Sequence, residues 1–143
     1  MSEVSPRTEI TKEHFDYAAN ALNSLPFSKL LGMELVDLSI DQAVIKIDMR
    51  DDLRQPSGIL HGGVTASLID TAMAFAVRTR LSPEQATATI DLTVHYLRPH
   101  TSGTFTCTAN VVRPGRRIFT VSADVHDEEG KLLATALSTY TKV

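Results

Sequence analysis

Between Gly62 and Leu81 the chain carries an apolar run that polar residues barely interrupt: Val64, Ala66, Leu68, Ile69, Ala72, Met73, Phe75, Ala76 and Val77. These positions go round every side of a helix, and a helix that is apolar all round is a buried one. At ~1.5 Å per residue, residues 64–81 reach about 27 Å, the width of a small domain. Thr65, Ser67, Asp70 and Thr71 punctuate the run, and Arg78 and Arg80 close it, so it does not read as a membrane span. Something must wrap around it. With 143 residues, 43% of them hydrophobic, the chain has the material for one such core.

One carboxylate falls inside that helix. Asp70 shares a narrow face with Ser67, Thr71, Ala74 and Arg78 through three- and four-residue spacings. Burying an unpaired carboxylate is costly, so this face is expected to meet a polar cleft or a partner. Just upstream, Gly62 and Gly63 put bare backbone at the helix start, where unpaired N–H groups and the positive end of the helix dipole suit an anion. An oxyanion site with a carboxylate about two turns further on outlines a reaction centre.

The flanking sequence supplies the wrapping. Residues 1–10 are expected to fray, and Phe15, Ala18, Leu22 and Leu25 recur at helical spacing over 11–24. Pro26 ends that helix, and a shorter one runs to Leu31 before Gly32. Two short strands, 33–39 and 43–49, are joined at Asp41-Gln42, with a polar loop over 50–57. After the long helix, alternation takes over. A third strand places Ala88, Ile90, Leu92, Val94 and Tyr96 on one face and Thr87, Thr89, Asp91, Thr93 and His95 on the other. A fourth sets Phe105, Cys107, Ala109 and Val111 against threonines and Asn110, and a fifth sets Phe119, Val121, Ala123 and Val125 against polar residues. A sixth covers 131–141. Arg113-Pro114-Gly115-Arg116 reads as a type II turn, and 127–130 as a second hairpin loop. The order is α, β, β, α, β, β, β, β. A long antiparallel sheet curled around one central helix satisfies it, with the third strand at an edge that invites pairing with a second copy.

Charge narrows the partners. A net charge of −3 gives no reason to expect nucleic acid. The single cysteine, Cys107, excludes an intramolecular disulfide, fits a reducing compartment, and sits on an apolar strand face where it reads as core. Residues 1–8 lack the apolar centre of a signal peptide, so the expected location is cytoplasmic, off the membrane. His14, His95, His100 and His126 lack metal-ligand spacing and read as surface residues. From 78 to 117 there are six arginines, at 78, 80, 98, 113, 116 and 117, against Glu84 and Asp91 only. As a group they suit a phosphorylated small ligand, because the guanidinium fork donates two parallel hydrogen bonds.

These residues resemble the hotdog-fold thioesterases, specifically the phenylacetyl-CoA thioesterase-like branch of the 4-hydroxybenzoyl-CoA thioesterase superfamily. The matching features are Gly58-Ile-Leu-His61-Gly62-Gly63, then Leu68-Ile-Asp70, the strand 89–97 followed by Arg98-Pro99, the Gly115-Arg116 turn and the last hairpin. The resemblance covers nearly everything from Phe27 onward, so residues 1–26 are set apart as an N-terminal segment with one helix and 27–143 as a single α+β hotdog domain. It implies hydrolysis of an acyl-CoA thioester at sites between two subunits of a homodimer, itself paired as a dimer of dimers, with no metal and no cofactor beyond the CoA of the substrate. By the same resemblance, Asp70 is general base or nucleophile, and Gly62 supplies the N–H that polarises the thioester carbonyl. His61 shapes the helix start, Gln55 stands where the family commonly has asparagine, and Thr89 holds the aspartate or the water. Strand alternation alone points Thr89 away from the core, so it reaches the site only if that face opens on the dimer cleft or the strand bulges there. Gly63, Arg98, Arg116 and Arg117 are the expected contacts to substrate and CoA phosphates. Two other readings stay open: a non-catalytic acyl-CoA-binding module, and a hydroxyacyl thioester dehydratase using His61.

Overall fold

A computed structural model describes residues 7–143; most of the segment expected to fray, 1–6, lies outside the described residues. Thr11 caps the first helix, α1 (Lys12–Ser24), with a reciprocal pair of bonds: its hydroxyl accepts from His14 N, and its own N–H donates to His14 Nδ1. Leu22 of α1 is fully buried in the same core as the rest of the chain. Proline opens the short α2 (Pro26–Leu31), and Gly32 closes it at φ 75°, the left-handed geometry glycine allows cheaply.

Six antiparallel strands form one sheet: β1 (Glu34–Ser39), β2 (Gln42–Asp48), β3 (Thr87–Tyr96), β4 (Thr104–Pro114), β5 (Ile118–His126) and β6 (Leu132–Lys142), in the order β1-β2-β4-β5-β6-β3. The long helix α3 (Gly62–Arg78) packs across β2, β4 and β5 and touches β3 and β6. The alternating residues Phe105, Cys107, Ala109 and Phe119, Val121, Ala123, Val125 turn inward as expected and are buried against Leu68, Ile69, Ala72, Met73 and Val77 of the helix. Each Val, Leu, Ile, Phe or Met among them contributes roughly 1.5–3 kcal/mol by leaving water, and each alanine less. This is the hotdog arrangement, and β3 lies at the sheet edge.

Several local expectations are corrected. Helix α3 starts at Gly62 and ends at Arg78, earlier than Leu81. Ser39 pairs with Gln42, so the first hairpin turns at Ile40-Asp41, with Asp41 at φ 70° and braced by a forked ion pair to Arg80. In the β4–β5 hairpin, Gly115 N donates to Ile118 O, so the tip is Arg116-Arg117 and not a proline–glycine type II centre. Glycine is required there by a close approach: a Cβ at Gly115 would stand 2.3 Å from the Ile118 carbonyl oxygen. His100 is buried, not superficial, with its ring edge-on to Phe105 at 5.1 Å.

Strand β3 departs most from simple alternation. Thr89 pairs with Tyr140, but the next pair is Asp91 with Thr139, so Ile90 is an extra residue in the ladder. The bulge reverses the facing of what precedes it. Thr89 therefore shares the core-side face with Leu92 and Val94, while Ile90 is 55% exposed. The expected grouping of Ala88 and Ile90 with Leu92 does not hold.

Candidate functional site

Helix α3 begins on two glycines behind an N-cap histidine. His61 Nδ1 accepts the N–H of Gly63 at 2.9 Å, and Val64 N donates to His61 O. The cap uses up the Gly63 donor, which the sequence had offered to substrate. It leaves the N–H of Gly62, at the first helical position, without an acceptor among the described residues. It also commits His61 Nδ1 as an acceptor, which makes the exposed ring a structural cap.

The loop before the helix is tightly tied. Gly58 N donates to Gln55 O across a turn with Pro56 at its second position, and Gln55 N donates to Ile59 O. Arg54 binds the carbonyls of Gly58 and Thr101 and the Asp51 carboxylate, and Leu60 N donates to His100 O. Arg54 was not singled out from the sequence; a lone arginine in a polar loop carries no signal of its long-range partner. These bonds present Gln55 at the mouth of a cleft of about 490 Å³, lined by Gly62, Gly63, Tyr96, Arg98 and His100 among others. Ser57 donates to Gln55 Oε1 at 2.8 Å, fixing the orientation of the amide. So Gln55, Gly62, Gly63 and Arg98 do come together.

Asp70 lies elsewhere in the same chain. It is half-buried, two turns along α3 from Gly62, and eight residues at ~1.5 Å make about 12 Å. Its Oδ1 accepts from Thr89 Oγ1 at 2.7 Å and, more closely, from the Tyr140 hydroxyl, which also lies 2.7 Å from the Asp70 carbonyl. The bulge at Ile90 is what turns Thr89 to this carboxylate. Burial first, and then the bond to Asp70, push the Tyr140 phenol well above its ordinary range, so it remains a protonated donor. Tyr140 was not foreseen; in the sequence it is one residue of a mixed terminal strand. Arg116 and Arg117 stand at the hairpin tip beyond the Thr89–Tyr140 end of the sheet, and Arg98 at the opposite end beside Gly62. Among the described residues no three His, Cys, Asp or Glu side chains gather as metal ligands, and no helix is long and apolar enough to cross a membrane.

A carboxylate with one oxygen held by two hydroxyls and a helix-start N–H are parts of acyl-transfer chemistry, 12 Å apart in one chain by the helix rise. The model of the thioesterase superfamily matches residues 57–134, which takes in Gly62, Asp70 and Thr89 and stops short of Tyr140. The chain belongs to the thioesterase superfamily. The medium/long-chain acyl-CoA thioesterase YigI of Escherichia coli K12 is 32% identical over 134 residues, covering 81% of this chain and 84% of that one. A putative esterase of Saccharolobus solfataricus is 34% identical over 110 residues, covering 77% and 73%. Among solved structures, a Haemophilus influenzae thioesterase superposes with a TM-score of 0.82 at 28% identity, over 93% of this chain and 90% of its own. The E. coli PaaI protein from the phenylacetic acid degradation operon superposes at 0.85 with 22% identity over 94% and 96%, a likeness of fold. As a member of the thioesterase superfamily, the protein is a thioester hydrolase.

Proposed function

We propose that the protein hydrolyses acyl-CoA thioesters at a site shared by two copies of the chain, the Gly62 N–H of one copy facing Asp70 of the other. The observation that carries this reading is that Gly62 and Asp70 stand eight residues apart on one helix, about 12 Å by its rise, a span no carbonyl can bridge while touching both groups. A second copy packed antiparallel along the β3 edge and α3 would bring each Gly62 to the partner's Asp70. It would also bring the Arg98 end of one sheet toward the Arg116-Arg117 tip of the other, a cationic rim suited to the phosphates of CoA.

In this reading Gly62 N–H, reinforced by the helix dipole, takes the charge that develops on the thioester oxygen. Asp70 removes a proton from the attacking water as the carbon–oxygen bond forms, and the tetrahedral intermediate expels CoA as thiolate. Thr89 holds the carboxylate, and Gln55 faces the cleft where the acyl carbonyl or water is placed. Carboxylate and amide suffice, so the chemistry calls for no metal or redox group. The relatives named for medium- and long-chain acyl-CoA make these the first substrates to try.

The test is complementation between two inactive variants. Asp70→Asn and Gly62→Pro are each assayed for thiol release from a panel of acyl-CoAs, then co-refolded in equal amounts. Hybrid dimers hold one site with Asp70 and Gly62 both intact, so about a quarter of wild-type turnover should return. A mixture no faster than either parent excludes the shared site, and wild-type rates in Asp70→Asn exclude the role of the carboxylate.

A further inference from the structure

Tyr140, near the end of β6, is 1% exposed and has its hydroxyl against Asp70. We propose that Tyr140 is a positioning residue that, with Thr89, clamps Oδ1 of Asp70 and so makes Oδ2 the oxygen that takes the proton from water. The inference rests on Asp70 being the acting carboxylate.

An ionised carboxylate offers roughly four lone-pair sites on two oxygens, and an undirected one samples both oxygens equally. Here the two donors come from neighbouring strands. Thr89 on β3 and Tyr140 on β6 are direct partners across the ladder, and both hydroxyls meet the same oxygen. Tyr140 also lies within bonding distance of the Asp70 main-chain carbonyl, so its single proton stays beside that residue in either arrangement. Oδ2 receives no donor among the described residues. The carboxylate is thereby held at one oxygen and free at the other, which leaves the free oxygen in a fixed position to accept a proton. The phenol suits the task because it stays protonated at any pH the enzyme meets. Its rigid ring is buried in the core across the ladder from Phe119, whereas a serine or threonine at 140 would fall short of α3.

The alternative is that the Tyr140 hydroxyl merely satisfies its own burial. Kinetics and infrared spectroscopy on the full-length chain separate the two. Tyr140→Phe keeps the ring and removes one charge-assisted hydrogen bond, a loss on the order of tenfold to a hundredfold in kcat, with KM held within about twofold. Thr89→Val should do the same and Thr89→Ser should restore the rate. The double variant should lose less than the product of the single losses, because both donors serve one oxygen. On the resting protein carrying 13C-labelled aspartate, the difference spectrum against Asp70→Asn isolates the Asp70 carboxylate bands. The spacing of the two stretches should narrow in Tyr140→Phe as the two oxygens become more alike. An unchanged spacing overturns the clamp, and so does a kcat within twofold of wild type when Asp70→Asn is itself inactive. The infrared readout needs no turnover, so it decides the clamp even if Asp70→Asn were to hydrolyse as fast as wild type, a result that would sink the thioesterase mechanism instead. Should Tyr140→Phe fail to fold, Thr89→Val carries both measurements.

Discussion

The hydroxyl of Tyr96 donates to the carbonyl of Gly62 at 2.8 Å, which ties the last residue of the edge strand β3 to the first residue of α3. The same ring lies 3.3 Å from where a Cβ on Gly62 would be. The helix start is therefore held from two sides, by His61 capping it from below and by Tyr96 lying across it. An N–H aimed at developing charge gains from such fixing because no reorganisation is left to do at the moment of reaction.

This arrangement separates the donor from the space around it. Gly62→Ala and Gly62→Pro both add a Cβ against Tyr96, but only proline deletes the N–H. Proline is tolerated at the first helical position, and His61, at φ −65° and ψ 129°, already has the extended backbone that a residue before proline adopts. Gly62→Pro should lower kcat by roughly 10²–10³ relative to Gly62→Ala, with thermal midpoints of the two variants alike. Equal rates in alanine and proline variants would remove Gly62 from the oxyanion role.

Cys107 stands at the centre of the sheet, fully buried, and that burial pushes its thiol well above the ordinary range. The thiolate is the reactive form, so the folded protein should resist alkylation and disulfide reagents at mildly alkaline pH and react fully once unfolded. Mass spectrometry after timed labelling reads this directly. Cys107→Ser places a hydroxyl where nothing awaits it and should cost about 1–3 kcal/mol in denaturant melts, with little effect on kcat.

Asp127 gives the fold an acid-sensitive hairpin. Its Oδ1 accepts from the N–H groups of Lys131 and Glu129, both at 2.9 Å, and the Lys131 bond leads in holding the carboxyl below its usual range. A carboxyl lowered in the folded state stabilises that state above the unfolded value and loses the effect as pH falls through the folded one. Wild type should thus lose thermal stability more steeply than Asp127→Asn below about pH 4. Parallel melting curves for the two proteins would show that this turn contributes nothing to acid sensitivity.

How far these features can be read from residues alone depends on whether neighbours or distant partners decide them. The buried helix, the inward faces of β4 and β5 and the edge position of β3 follow from local periodicity and element order. His61, Gly62 and Asp70 stand out because they share one short stretch. Thr89 was placed on the wrong face by alternation, since the extra residue at Ile90 shows itself only when β3 is laid against β6. Tyr140 and Arg54 carry no mark in the sequence for a like reason: Tyr140 meets a residue 70 positions away, and the Arg54 bond that ties its loop to the rest of the fold reaches Thr101, 47 positions away. Eight residues of helix between Gly62 and Asp70 are legible in the sequence, and their meaning emerges once Asp70 is seen held by Thr89 and Tyr140.

The hairpin tip offers a last separation, between holding a turn and holding a ligand. Gly115 has no room for a side chain, because the atom in the way is the main-chain oxygen of Ile118, which cannot rotate aside. Gly115→Ala must therefore shift the β4–β5 register locally, and it should cost a few kcal/mol at most, on the order of 1–3 in denaturant melts. Arg116 and Arg117 are exposed and free of ion pairs among the described residues. Replacing both with alanine should leave stability within about 0.5 kcal/mol. If they meet CoA phosphates across the seam, the same replacement should raise KM for acyl-CoA severalfold and leave KM for a short acyl thioester lacking the nucleotide unchanged, with kcat the same for both. A KM that rises equally for the two substrates would mean that the tip acts through the hairpin it caps and not through charge.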